Sequence, residues 1–198
     1  MKKSVSIHII MIMFSALQLM ITPFKVFSQN SDKKLKIDFG NKSDKNQEWV
    51  LLSDNIMGGV TKSSIEYTDN TVKLTGNISF DNYGGFSSIR TTYKAADLSG
   101  FSGVRIRFRS ANQKFAFTIE DSRNWTKPNY KNKFSSEKAD TWEEVSLYFK
   151  DFKEYVIGEP TGDGMEVSVL KNIVRLGIMT AEKKEGPFNL EIDYLEFF

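Results

Sequence analysis

Hydrophobic and polar residues alternate with a period of two along much of this chain. Val104, Ile106 and Phe108 alternate with Arg105, Arg107 and Arg109, and Phe115, Phe117 and Ile119 with Lys114, Ala116, Thr118 and Glu120. Near the end, Phe188, Leu190, Ile192 and Tyr194 alternate with Asn189, Glu191 and Asp193. Successive side chains of a strand point to opposite faces, so each run predicts a strand with one buried and one polar face. Less regular runs at 35–39, 49–52, 64–67, 72–79, 86–92, 142–149 and 174–179 predict further strands. Turn-forming residues separate them: Asp69-Asn70, Asn82-Tyr83-Gly84-Gly85, Ser99-Gly100, the stretch 158–164 and Gly186-Pro187. Segments 151–155 and 167–173 each predict a short helical turn, and no longer amphipathic helix is visible. Many short strands with such breaks specify an all-β fold, an antiparallel β-sandwich, rather than alternating βαβ units.

The N-terminus breaks this pattern. Lys2 and Lys3 precede an apolar run from Val5 to Ile21, and Val26-Phe27-Ser28 precedes Gln29. A positive start, an apolar stretch and small residues before a cleavage point are the layout of a secretory signal peptide. The expected organisation is therefore a leader at 1–28, a polar flexible lead at 29–36 and one sandwich domain at 37–198, exported to the periplasm or beyond. Contact with a membrane is expected through the leader only.

Removing the leader changes the available chemistry. It carries Lys2, Lys3 and Lys25 and no acid, so the chain's 27 basic and 25 acidic residues become 24 and 25, a net charge of −1. The basic balance is thus partly the leader's, and it supports no nucleic-acid partner. The only histidine, His8, also lies in the leader, and there is no cysteine. The remainder therefore has no His- or Cys-based nucleophile and no usual zinc, haem or iron–sulfur ligands. No cofactor is expected, and the chain reads as a non-enzymatic domain.

Five groups of residues carry candidate chemistry. Asp54 opens Ser53-Asp54-Asn55-Ile56-Met57-Gly58-Gly59-Val60-Thr61, which is either a ligand loop or a structural turn, with glycines that permit positive φ or close backbone approach. Asp81-Asn82-Tyr83-Gly84-Gly85-Phe86 has a second Gly-Gly but lacks the helix and lysine of a phosphate loop. Arg105, Arg107 and Arg109, joined by Arg90 from another strand, could receive an anion or sugar, or could pair with acids on neighbouring strands. Trp125 and Tyr130 lie on the polar segment 121–130, where flat rings could stack on a sugar, anchor a protein partner or cap the core. Glu143, Glu144, Glu191 and Asp193 show no glycosidase-like pairing, while Asp38 and Asp193 could share a structural Ca²⁺ through hard oxygen ligands.

Taken together, these segments resemble the complex I intermediate-associated protein 30 family. Its Asp-x-Val-Met-Gly-Gly-x-Ser pattern is similar to Asp54, Ile56, Met57, Gly58, Gly59 and Thr61. Its Asn-x-Gly-Gly-Phe-x-Ser element is similar to Asn82, Gly84, Gly85, Phe86 and Ser88. Its Gly-Pro-Phe-x-Leu-Glu-Ile-Asp ending matches Gly186, Pro187, Phe188, Leu190, Glu191, Ile192 and Asp193. One departure follows Phe108, where the family often has a Gly-Asp-Gly turn and this chain reads Arg109-Ser110-Ala111-Asn112-Gln113. The resemblance implies a galactose-binding-like jelly roll and a chaperone-like assembly factor without catalytic residues, acting on a protein client. Export and the jelly roll together imply the alternative of a carbohydrate-binding module with a glycan partner.

Overall fold

The structure, a computed structural model, describes residues 35–40, 49–111 and 113–198. The expected leader, its cleavage site and most of the expected lead lie outside the described residues. The lead's last two residues, Leu35 and Lys36, belong to a strand rather than to a flexible segment.

Among the described residues, thirteen strands and four short 3-10 turns follow one another. The strands are β1 (Leu35–Asp38), β2 (Trp49–Ser53), β3 (Lys62–Tyr67), β4 (Val72–Ile78), β5 (Ser87–Thr91), β6 (Gly103–Ser110) and β7 (Phe115–Glu120). They continue as β8 (Asn129–Phe134), β9 (Glu143–Tyr148), β10 (Lys153–Val156), β11 (Glu159–Gly164), β12 (Arg175–Thr180) and β13 (Gly186–Phe197). All named pairings are antiparallel. One sheet has six strands in the order β3-β4-β13-β6-β9, with β1 also on β13; the other has seven, β11-β10-β8-β7-β12-β5-β2.

The predicted alternation places the core between the sheets. Val104, Ile106 and Phe108 point inward from β6, and Phe115, Phe117 and Ile119 from β7, all essentially inaccessible to solvent. Rings cross the interface: Phe108 meets Phe134 edge-on at 4.9 Å, and Phe117 meets Phe197 at 6.5 Å. Each such buried side chain stabilises the fold by about 1.5–3 kcal/mol.

Three local departures from the pattern matter. In β13 the register shifts between Ile192 and Tyr194, so Asp193 is an extra residue opposite β6. This bulge turns Tyr194 outward, where alternation expected it inside, and returns Leu195 and Phe197 to the core. Segment 151–155 is not a helical turn: a 3-10 turn at Phe149–Asp151 gives way to β10. Segment 158–164 contains a strand as well as a turn, since β11 folds back on β10. The expected turn at 167–173 is a 3-10 helix, Val167–Asn172.

Candidate functional site

Two regions concentrate polar chemistry. The first is built around Asp54, which is 1% exposed at the start of a 3-10 turn, Asp54–Met57. Its Oδ1 accepts the Thr61 N–H at 3.1 Å, and its Oδ2 accepts the N–H groups of Gly85 at 2.6 Å and Phe86 at 3.3 Å. Burial pushes this carboxyl up, but the hydrogen bonds from Thr61, Gly85 and Phe86 outweigh it and hold its pKa below the usual value. One carboxylate therefore ties the loop after β2 to the loop before β5.

The four glycines serve this carboxylate in two ways. Gly58 and Gly85 have φ of +89° and +129°, which side chains rarely tolerate. At Gly59 and Gly84 the constraint is space: a Cβ would lie 2.5 Å from Asp54 Cγ or 2.6 Å from Asp54 Oδ2. Asn82 Nδ2 adds a 3.3 Å bond to the Gly58 carbonyl. The apolar side chains of both loops face outward: Met57 is 69% exposed, Tyr83 fully, and Ile56, Val60 and Phe80 also face solvent. Met57 thus has no core role in this motif, while Phe86 is half-buried. Tyr83 and Asn82 hold left-handed backbones, φ +60° and +55°, a strained conformation for two consecutive non-glycine residues.

The second region is the outer face of the seven-stranded sheet. Register places Arg90, Gly177, Thr118, Lys131 and Lys153 in one row across five strands, and Arg175, Glu120, Asn129 and Tyr155 in a neighbouring row. Glu120 Oε2 accepts from Arg175 Nη2 at 2.6 Å and Nε at 2.9 Å, and its Oε1 lies 3.4 Å from Arg90 Nη1. All three side chains are under a fifth exposed. Gly177 is needed as the floor here, because a Cβ would lie 2.5 Å from Thr118 Oγ1 and 3.2 Å from Arg90 Cγ. The Arg175 guanidinium lies 4.5 Å from the Tyr93 ring centre, Arg123 lies 5.2 Å from the same ring, and Lys131 Nζ is 4.5 Å over Tyr155. Burial, with Arg90 and Lys133 close by, lowers the Lys131 pKa to about 8 against the opposing pull of Glu120 and Glu159.

The other candidates are placed as follows. Trp125 is 74% exposed on the β7–β8 loop. Tyr130 is not on that loop with it: it lies in β8, is 6% exposed, and points inward opposite Ile119. Its hydroxyl pKa is pushed up to about 12 by burial and by nearby Asp121 and Glu154. Arg90 does not join Arg105, Arg107 and Arg109, because β5 and β6 belong to different sheets. Arg105 pairs with Glu196 at 3.1 Å, Arg107 with Asp193 at 3.0 Å and Glu144 at 3.8 Å, and Arg109 with Glu191 at 2.6 Å. Glu143 accepts the N–H groups of Glu137 and Lys138. Asp38 and Asp193 do line one open cleft of about 450 Å³, with Gly40 and Asn70. Each carboxylate, however, faces a cation, Lys36 at 2.8 Å and Arg107 at 3.0 Å, and the described residues hold no group of three or more metal-ligating His, Cys, Asp or Glu.

The model of the complex I intermediate-associated protein 30 family matches residues 37–192. The chain belongs to this family. No curated protein sequence matches it. Among solved structures, it is similar to the family 11 carbohydrate-binding module of a cellulosomal cellulase of Clostridium thermocellum, at 17% identity and TM-score 0.54, covering 75% of this chain and 86% of that one. A second structure of a family 11 module from that organism, in complex with a β-1,3-1,4-mixed-linked tetrasaccharide, gives 14% identity and TM-score 0.55 over 83% and 95% of the two chains. An agarase matches at 10% identity and TM-score 0.52, with 82% of this chain on 24% of that one. At these identities the likeness shows the jelly-roll fold and nothing further.

Asp54 and its glycines belong to the segments that carry the family resemblance. Tyr93, Glu120, Lys131, Tyr155 and Arg175 were not singled out. The alternation Tyr130, Asn132, Phe134 against Lys131 and Lys133 was the available signal for β8, and it would have moved Tyr130 inside.

Proposed function

We propose that this member of the complex I intermediate-associated protein 30 family is a non-catalytic binding module that holds a protein client against its motif loops. The observation that carries this reading is the direction of the apolar side chains around Asp54. A buried carboxylate and four constrained glycines rigidify two loops, and those loops present Ile56, Met57, Val60, Phe80 and Tyr83 to solvent. An ordered apolar surface of this kind is the usual mark of an interaction site. The family's name attaches assembly of respiratory complex I to its members; the expected leader would place this chain outside the cytoplasm, with a different apolar client.

The test is capture from the native cell envelope by the wild-type protein and by the double variant Ile56→Glu, Met57→Glu. Both positions are exposed, so the melting temperature should stay within about 2 °C. Proteins retained by the wild type should be lost from the variant by tenfold or more; equal recovery by both would refute the reading.

A second reading, an exported glycan-binding module, is supported by Tyr93 and Tyr155 on the outer face of the seven-stranded sheet. The likeness to modules solved with and named for carbohydrates is in keeping with it.

A further inference from the structure

The seven-stranded sheet carries on its outer face a lysine, Lys131, whose charge Glu120 and Glu159 offset only from beyond ion-pair distance. Glu120 already satisfies both Arg90 and Arg175. Lys131, two strands along from Gly177 in the Arg90 row, is partly buried, and among the described residues no carboxylate lies within ion-pair distance of Lys131, Lys133 or Lys153. A partly desolvated ammonium without a counterion is costly, and the lowered pKa of Lys131 is the expected sign of that cost. Such a perturbed group on a polar face is a candidate binding position.

The surroundings narrow down what binds there. The row of Lys131 is floored by Thr118 and Gly177, with Asn129 in the row on one side and Ala116 and Met179 in the row of Lys133 on the other. Tyr93 follows β5 and Tyr155 lies in β10, four strand spacings away, roughly 19 Å at about 4.8 Å each. That span suits a chain of rings lying across the strands, with aromatic faces towards its two ends.

We propose that this face binds an acidic polysaccharide, whose carboxylate or sulfate group is the counterion that Lys131 lacks between Arg90, Lys133 and Tyr155. Charge-assisted hydrogen bonds from Lys131 and Lys133 hold the anion. Glu120 pairs with the two guanidiniums, and Tyr93 and Tyr155, whose rings lie against Arg175, Arg123 and Lys131, flank the bound sugars. The inference deepens the glycan reading above and is independent of a client at the motif loops.

Isothermal titration of the full chain at low salt tests it, with four oligosaccharides of equal length: an oligogalacturonate, its fully methyl-esterified form, a sulfated galactan and the uncharged galactan. The two acidic probes separate carboxylate from sulfate as the source of charge. At least one acidic form should bind about tenfold or more tightly than its uncharged counterpart. That preference should collapse in Lys131→Met, return in Lys131→Arg, and be reduced in the exposed Lys133→Met, which guards against misfolding at position 131. Equal affinity for charged and uncharged forms would overturn the inference while leaving the glycan reading standing. Heat from none of the four would overturn both. A single-stranded oligonucleotide bound more tightly than any acidic sugar would also overturn the inference.

Discussion

The two outer faces of the sandwich carry similar numbers of cations and treat them in opposite ways. On the six-stranded sheet, every arginine of β6 meets a carboxylate across the strand gap: Arg105 with Glu196, Arg107 with Asp193 and Glu144, Arg109 with Glu191. The bulge in β13 assists, since the extra residue it admits is the Asp193 that faces Arg107. Trp142 lies beneath two of the guanidiniums, 5.6 Å from Arg107 and 5.0 Å from Arg109. These pairs are about two-fifths exposed on the arginine side, so solvent screens them. On the seven-stranded sheet, one carboxylate serves two arginines, and among the described residues the lysines beside them have none within ion-pair distance. A face whose charges cancel internally has little to offer a charged ligand. A face that keeps a surplus is positioned to bind one.

The largest effect in this comparison should come from Glu120→Gln. It would leave Arg90 and Arg175, each under a fifth exposed, beside Lys131 with no compensating charge. Removing one partner of a buried pair is strongly destabilising, and about 2–3 kcal/mol is expected at this partial burial. Thermal melts should fall by roughly 5–10 °C. A change no larger than that of an exposed control such as Lys171→Met would mean the cluster is solvated and the contrast between the faces is false.

A smaller effect is expected from pH. Lys131 faces Arg90, Lys133, Glu120 and Glu159. Its own lowered pKa, about 8, means that the cation is present below that pH and lost above it. Affinity for an acidic oligosaccharide should therefore decline as pH rises from about 7 to about 9, with the midpoint moved upward in the complex because an anion favours the protonated amine. The Lys131→Arg variant should bind with a flat profile over that range, since arginine stays charged. A wild-type profile as flat as the variant's would show that Lys131 does not touch the anion.

The smallest effect belongs to the paired face. Burial pushes the Glu191 carboxyl up, but hydrogen bonds from Thr71 and Arg109 and the charges of Arg109 and Lys73 bring it below its usual value. Even so, Arg109 is 39% exposed, and a double-mutant cycle on Arg109→Met and Glu191→Gln should give a coupling of about 0.5 kcal/mol that shrinks with added salt. A coupling above about 2 kcal/mol would make the two faces energetically alike.

Much of this molecule was readable residue by residue. Period-two alternation located β6, β7 and the first part of β13 and chose their inward side chains, because the direction of a side chain along a strand is a local property of the backbone. The family motif around Asp54 was readable too, although not that Gly59 and Gly84 are glycine because Asp54 occupies the space a Cβ would need. Strand β11 escaped because Pro160, Gly162 and Gly164 in an entirely exposed segment carry no apolar period. Tyr130 was misplaced because a neighbouring Pro128 and a run of polar residues hid the start of β8.

What the chain's own pattern determined is therefore which residues share a face of a strand: arginines 105, 107 and 109 outward on β6, phenylalanines 115 and 117 inward on β7. Only the tertiary structure decided which strands lie side by side. It separated Arg90 from the β6 arginines and set it in a row with Lys131, 41 positions later in the chain, with Glu120 in the neighbouring row. It also gave the β6 row acidic neighbours from β9 and β13. The reason is physical: alternation follows from the geometry of two consecutive peptide units, whereas strand order follows from packing two sheets around one core, to which every strand contributes at once.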